Sequence, residues 1–227
     1  MAAFVLRLWL PDRPGALGAV ASRVGAVGGD VVGIEILERG ADRAVDELVV
    51  DLADAGVVDL LLSEIEQVDG VAVEEVRPLA EALHDPRLDA LETAAMLVGA
   101  STPDDAIDAL CEHAVRTIGA LWGAVVRLDA GEVVSARGDA PSALWLSAFV
   151  AGSQSAARAG EGAGEAHDVL WAPLPAARAA LVLGREHLPF RTRERRQAAA
   201  LARIVDTRFR ELHLLRSRTS HPASRQG

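Results

Sequence analysis

Lysine and tyrosine are both missing from this chain of 227 residues, and all 23 of its basic residues are arginine. Without lysine, neither a P-loop lysine nor a Schiff base is possible. Cys111 is the single cysteine, which excludes an intrachain disulfide and any CxxC metal or redox motif. These absences remove several classes of enzyme and redox protein from consideration.

Long apolar runs are missing as well. No uninterrupted stretch approaches the roughly 20 apolar residues that a membrane-spanning helix needs. Residues 1–10 lack the basic start and the apolar length of a secretory signal. We therefore expect a cytoplasmic protein that has no membrane partner.

Positive charge is scarce outside one segment. The chain has 33 acidic residues and a net charge of −10. Only the segment 181–227 has a positive net charge, with 11 arginines against 4 acids. Nucleic-acid binders need positive charge to neutralise phosphates. The sequence also lacks a recognisable helix-turn-helix, so we expect no nucleic-acid partner.

Hydrophobic residues make up 50% of the chain, which is enough for a packed core. Apolar periodicity and a proline at position 86 divide the chain into residues 1–80, a linker over 81–87, residues 88–216 and a disordered tail over 217–227. Both large segments mix strands with helices, which predicts the α+β class.

The first segment follows the order βαββαβ. Strands are predicted over 4–10, 31–37, 44–52 and 71–76, and helices over 14–27 and 58–68. Pro14 is predicted at the first helical position, and Gly28-Gly29 ends that helix. This order predicts a ferredoxin-like fold, a four-stranded antiparallel sheet with two helices on one face.

The second segment predicts a second α+β domain with an antiparallel sheet and a long terminal helix. Its predicted helices cover 88–98, 101–118, 142–157 and 190–215, and its strands cover 122–128, 132–136, 169–174 and 179–183.

Two motifs mark the first segment, one after its first strand and one entering its second. They are Asp12-Arg13-Pro14-Gly15-Ala16-Leu17 and Gly28-Gly29-Asp30-Val31. Together with the element order over residues 4–78, they resemble the ACT domain, a small regulatory module that commonly binds amino acids. The resemblance implies that the family fold brings these loops together, often across a homodimer interface. The implied ligand-binding residues are Asp12, Arg13, Pro14, Gly15, Ala16, Leu17, Asp30 and Val31.

The chemistry of that site can be argued from the residues. The start of the first helix offers unpaired N–H groups and a dipole that favours a carboxylate, and Gly15 lets a ligand approach the backbone. Asp12 and Asp30 replace the asparagines that serine-binding members tend to have, and two carboxylates favour an ammonium group and repel a carboxylate. Both residues also fit as ordinary turn residues. A domain that pairs subunits and binds no ligand therefore remains an alternative interpretation.

The end of the second segment contains Leu181 to Arg185, then Leu188-Pro189-Phe190, and then Glu194 near the start of the long helix. This order resembles the close of a GAF domain, a sensor fold of signalling proteins, over residues 88–216. Cyclic-nucleotide members use a lysine-containing signature that this chain cannot have.

Other members of that family attach a chromophore through a cysteine. Here Cys111 lies within a predicted helix as a core residue. Trp122, Trp145 and Trp171 either line a pocket or, as we favour, fill the core.

Catalytic constellations are lacking. The six histidines are scattered without a metal-ligand spacing, and G-x-S-x-G does not occur. We expect no enzymatic activity, no metal and no cofactor. The sequence predicts a homodimeric, allosteric regulatory protein that binds a small molecule, most simply an amino acid. The alternative is a ligand-free dimerisation module that scaffolds or regulates a separate enzyme or transcription factor.

Overall fold

The computed structural model describes residues 2–40, 42–79, 86–158 and 168–219. The chain divides into two compact units, Met1–Leu83 and His84–Gly227. Most of the predicted linker, residues 81–85, and most of the predicted tail, residues 220–227, lie outside the described residues.

The first unit has the predicted βαββαβ order. Its elements are β1 (Ala2–Pro11), α1 (Ala16–Ala26), β2 (Asp30–Arg39), β3 (Arg43–Leu52), a short 3-10 helix (Ala55–Val57), α2 (Val58–Glu66) and β4 (Ala72–Pro78). The four strands pair antiparallel in the order β2-β3-β1-β4. The ferredoxin-like prediction is confirmed, and β2 and β4 form the edges of the sheet.

One face of this sheet carries the core. Alternate residues of β1, from Phe4 to Leu10, join alternate residues of β3, from Leu48 to Leu52, in one apolar cluster. Val20 of α1 and Ile65 of α2 belong to the same cluster. Both helices therefore cover the same face, as side chains of alternating direction along each strand require.

The second unit also mixes helices with an antiparallel sheet. Its elements are α3 (Pro86–Gly99), α4 (Pro103–Ile118), β5 (Trp122–Arg127), β6 (Glu132–Arg137), α5 (Ala143–Arg158), β7 (Val169–Leu174), β8 (Ala179–Gly184) and α6 (Thr192–Thr219). The strands pair in the order β6-β5-β8-β7. With a four-stranded antiparallel sheet in each unit, the α+β prediction is confirmed.

Two apolar clusters fill the second unit, one on each face of its sheet. The larger contains residues of α4 and α6, and the smaller contains Leu146 and Val150 of α5. Helix α3 begins two residues before the predicted start of the domain. Helix α6 continues through residues 217–219, which the sequence analysis assigns to a disordered tail. None of the helices in the described ranges is long and apolar enough to cross a membrane.

Candidate functional site

The turn between β1 and α1 ends in a glycine that the backbone requires. Gly15 adopts φ 90°, in the left-handed region where other residues are strained. Helix α1 begins at Ala16, whose N–H donates to the carbonyl of Arg13 at 3.3 Å, and no side chain caps this end. The prediction that Pro14 is the first helical residue is wrong, because the left-handed Gly15 separates it from the helix. The backbone donors of the first turn are thus left without a side-chain acceptor.

Asp12 and Arg13 hold this turn against the rest of the domain. The N–H of Asp12 donates to the carbonyl of Asp42 at 3.0 Å, while the side chain of Asp12 is exposed. Nη2 of Arg13 lies 3.3 Å from Oδ2 of Asp69, and both side chains are exposed. A pair this exposed adds little stability. It directs the guanidinium of Arg13 toward the turn between α2 and β4.

The other predicted segment lies at the opposite end of the sheet. Asp30 begins β2 opposite Asp51 of β3, and Asp51 in turn stands opposite Ala3 of β1. Asp12 follows the far end of β1, nine residues beyond Ala3, which is about 30 Å at 3.4 Å per residue. Val31, next to Asp30, packs against the core. Within one chain the structure therefore does not bring Asp30 and Val31 to the Asp12–Leu17 turn.

The two glycines before Asp30 close helix α1. Gly28 has φ 77°, and its N–H donates to the carbonyl of Gly25 at 3.0 Å. A Cβ on Gly29 would lie 2.8 Å from Cδ2 of Leu52, so this position has no room for a side chain. The Gly-Gly pair is thereby explained by backbone geometry.

Asp46 is a candidate that the sequence analysis missed. It stands on β3 opposite Leu8 of β1 and Ile36 of β2, so its side chain lies on the face that carries the core. The residue is 6% exposed, and its Oδ1 has no hydrogen-bond partner among the residues that the structure describes. Burial raises the pKa of the Asp46 carboxyl, Arg39 lowers it and Asp12 raises it again.

The strand register places Asp46 opposite Leu8, four residues before Asp12, in the half of the sheet from which β1 leads to α1. The signal for this residue is present in the sequence. Leu48 and Val50 mark the buried positions of β3, and the same alternation carries back to Asp46, where a carboxylate occupies an apolar position.

The tryptophans of the second unit form an aromatic group around α5. Trp145 and Phe149 stack with ring centroids 5.3 Å apart, and Trp122 meets the edge of Trp145 at 6.3 Å. Trp122 and Trp171 pack against the apolar cluster beneath α5. These contacts favour the interpretation of Trp122 and Trp171 as core residues, whereas Trp145 is 43% exposed.

Cys111 lies on α4 and is buried as a free thiol. Burial raises the pKa of the thiol, which opposes formation of the reactive thiolate. The position inside the larger apolar cluster agrees with the core role expected from the sequence.

The motif at the end of the second sheet forms a buried ion pair. Nη1 and Nη2 of Arg185 each lie 2.8 Å from an oxygen of Glu194, and the N–H of Arg191 donates to the same carboxylate at 2.6 Å. Arg185 also donates to the carbonyls of Leu188 and Pro189. These contacts give Arg185 and Glu194 a structural role in joining β8 to α6.

The comparisons with known proteins identify the first unit. Residues 4–70 match the family model of the ACT domain. The first unit therefore carries an ACT domain, and this confirms that part of the resemblance. An ACT domain generally indicates a regulatory role that depends on a small molecule.

Whole-chain comparisons add little. No curated protein matches the chain. A crystal structure of an unknown protein from Galdieria sulphuraria is similar at 13% sequence identity, over 92% of this chain and 93% of that chain. Its TM-score of 0.31 is too low to carry an argument about fold or function.

Proposed function

We propose that this protein is a non-enzymatic, homodimeric sensor that binds an amino acid and passes the signal to its GAF-like second unit or to a partner protein. The ligand site consists of the turn Asp12–Leu17 and the segment that begins with Asp30 and Val31. The observation that carries the proposal is the start of α1, where the helix follows a left-handed Gly15 and no side chain caps its N-terminus.

The exposed edge of the sheet supports the dimer. Along β2, Val32, Ile34 and Ile36 are each more than 40% exposed. An edge strand with exposed apolar side chains is a template for pairing with another strand. A second copy of β2 is the simplest occupant, because a two-fold axis makes such a contact self-complementary.

That dimer also assembles the ligand site. Two copies of β2 that pair antiparallel about their centre set Asp30 of the partner subunit opposite Arg39. Arg39 stands opposite Ala44, at the end of the sheet where Asp12 and Gly15 lie. The second copy thus removes the separation along the strand direction and leaves the width of β2 and β3 between the partner subunit's Asp30 and β1. The opposite charges of the paired ends favour this register.

The site then matches the two ends of an amino acid. The ligand carboxylate accepts hydrogen bonds from the backbone of the first turn of α1, where the helix dipole is favourable. Its ammonium group donates to Asp12 and to Asp30 of the partner subunit. Binding across the interface stabilises one arrangement of the dimer, which is how the second unit or a partner would sense occupancy.

A thermal-shift screen of the twenty L-amino acids, with the mass measured by size-exclusion light scattering, tests this proposal. A ligand at 100 times its Kd adds about 2.7 kcal/mol, which raises the Tm by several degrees. We expect one amino acid or one related group to give that shift. Asp12→Ala should remove the shift, and Asp59→Asn on the exposed side of α2 should keep it.

The alternative is a ligand-free interaction module, and one observation favours it. Helix α3 exposes Leu88, Leu91, Met96 and Val98, and Val98 lines a groove of about 440 Å³ with residues of α6. An exposed apolar stripe beside a groove is typical of a protein-binding surface. A folded dimer that gives no shift with any amino acid, and loses a co-purifying partner in Leu91→Glu, would support this alternative.

A further inference from the structure

We propose that Asp46 is an additional ligand-binding residue that receives a cationic nitrogen, so that the site takes a basic amino acid such as lysine, arginine or ornithine. This inference rests on the proposed function, because it assigns the ligand class of the same site. The inference does not depend on the residues of the two sequence motifs, because Asp46 lies on β3, outside both motifs.

The position of Asp46 follows from the strand register. Its partner on β1, Leu8, belongs to the apolar cluster that also contains Leu10 and Ala16, the first residue of α1. Asp12 is near enough to raise the pKa of Asp46. The register therefore puts Asp46 on the helix-covered face of the sheet, one core position away from Leu10, after which β1 leads into the turn before α1.

The second observation is the missing hydrogen-bond donor. Oδ1 of Asp46 is inaccessible to solvent and has no partner among the described residues. Arg39 lowers the pKa of Asp46 through the electrostatic interaction between them, but among the described residues neither Arg39 nor any other group donates a hydrogen bond to Oδ1. A buried carboxylate oxygen without a donor is costly, so a fold that keeps one gains when a ligand supplies the N–H group.

Charge balance selects the class of ligand. In the proposed dimer the site holds three carboxylates, from Asp12, Asp46 and the partner subunit's Asp30. The ammonium group of a neutral amino acid neutralises one of them. A basic side chain adds a second positive charge with several N–H donors, and a buried carboxylate pairs most strongly with such a group. The opposing helix N-terminus still accommodates the ligand carboxylate.

Matched ligands isolate the basic group. We would measure binding to the full chain by isothermal titration calorimetry with L-lysine against L-norleucine, and with L-arginine against L-citrulline. Each pair differs little in size, and only the first member is cationic at the side chain. We expect the cationic member of at least one pair to bind about tenfold to a hundredfold more tightly, as for a hydrogen bond to a charged group.

Asp46→Asn then tests the assignment to this residue. The variant keeps the size of the side chain and removes its charge, and we expect the preference for the cationic ligand to fall to about twofold or less, well below the tenfold limit set for wild type. Asp59→Asn, the same change on exposed α2, should keep the preference. If circular dichroism shows that Asp46→Asn fails to fold, the proposal is tested by the matched ligands on the wild type, which show whether the site prefers a cationic side chain.

Two kinds of failure are distinguishable. If a neutral amino acid binds as tightly as its cationic counterpart and Asp12→Ala removes that binding, the sensor proposal stands and the role of Asp46 is overturned. A preference for the cation that survives in Asp46→Asn overturns it as well. If no amino acid binds a folded dimer, both proposals are wrong.

Discussion

Glu194 and Asp46 are both buried carboxylates, and the protein surrounds them in opposite ways. Both oxygens of Glu194 accept hydrogen bonds from Arg185, and one of them also accepts the N–H of Arg191. Asp46 is as deeply buried, but one of its oxygens has no donor within the described residues. Burial alone therefore does not distinguish a structural charge from a ligand-binding group. The set of donors around the carboxylate does.

The largest effect should come from breaking the satisfied pair. Glu194→Ala leaves the guanidinium of Arg185 buried without its counter-charge, and breaking a buried pair in this way costs about 3–5 kcal/mol. We expect the free energy of unfolding of the second unit to fall by that amount. Hydrogen exchange of the β5 and β8 amides measures this unit alone.

The control for this change is Glu211→Ala, on the exposed side of the same helix. Its contact with Arg208 is a surface pair at 3.4 Å, worth at most about 1 kcal/mol. Equal losses in the two variants would show that helix α6, not the buried pair, determines the result.

A smaller loss is expected when both partners of the pair become apolar. Arg185→Met combined with Glu194→Leu removes the uncompensated charge, since neither ion remains. The carbonyls of Leu188 and Pro189 are only partly buried, so water can replace the guanidinium as their donor. The buried N–H of Arg191 loses its acceptor, as it also does in Glu194→Ala, and this one group costs about 1–3 kcal/mol. The same exchange experiment should place the double variant between wild type and Glu194→Ala, and a double variant less stable than the single one would contradict this account.

A substitution at Asp46 is expected to change the free energy of unfolding in the opposite direction. Asp46→Leu removes an acceptor that has no donor and puts an apolar side chain at an apolar position, so the first unit should gain about 1–2 kcal/mol. Hydrogen exchange of the β1 and β3 amides measures that gain. A loss of stability would show that Asp46 is satisfied in the free protein, and the contrast with Glu194 would then disappear.

Most of the fold follows from local patterns, which is why the strands and helices could be predicted. Alternation from Phe4 to Leu10 predicts β1, and spacings of three and four residues predict α1, because each pattern depends only on the element itself. The frequent occurrence of proline at the first helical position predicts that Pro14 belongs to the helix. The left-handed backbone of Gly15 overrides that preference, and backbone direction is not visible in a one-letter sequence.

The candidate site was predictable only in part, for a physical reason. The Asp12–Leu17 turn is a local motif, and the structure places it at a helix start as expected. The separation of Asp30 from Asp12 and the burial of Asp46 depend on which strands pair and in which register. Register depends on the pairing of β3 with both β1 and β2, and in this register the polar residue Asp46 lies on the core face.

The smallest expected effect is the pH dependence of the stability of the first unit, which tests the environment of the Asp46 carboxyl. Burial raises the pKa of Asp46 above its ordinary value of 3.8, so the folded protein binds this proton more tightly than the unfolded chain. The stability contributed by this proton is fully present below the ordinary value and is lost as the pH rises through the folded-state value. Relative to Asp46→Asn, wild type should therefore become more stable as the pH falls from 7 toward 4.5. Hydrogen exchange of β1 and β3 at each pH, taken as the difference between the two proteins, cancels the intrinsic exchange rate. A difference in stability that does not change with pH would mean that the carboxylate of Asp46 is solvated or paired. Asp46 would then resemble a surface aspartate, and not an unpaired buried carboxylate that can bind a cationic ligand.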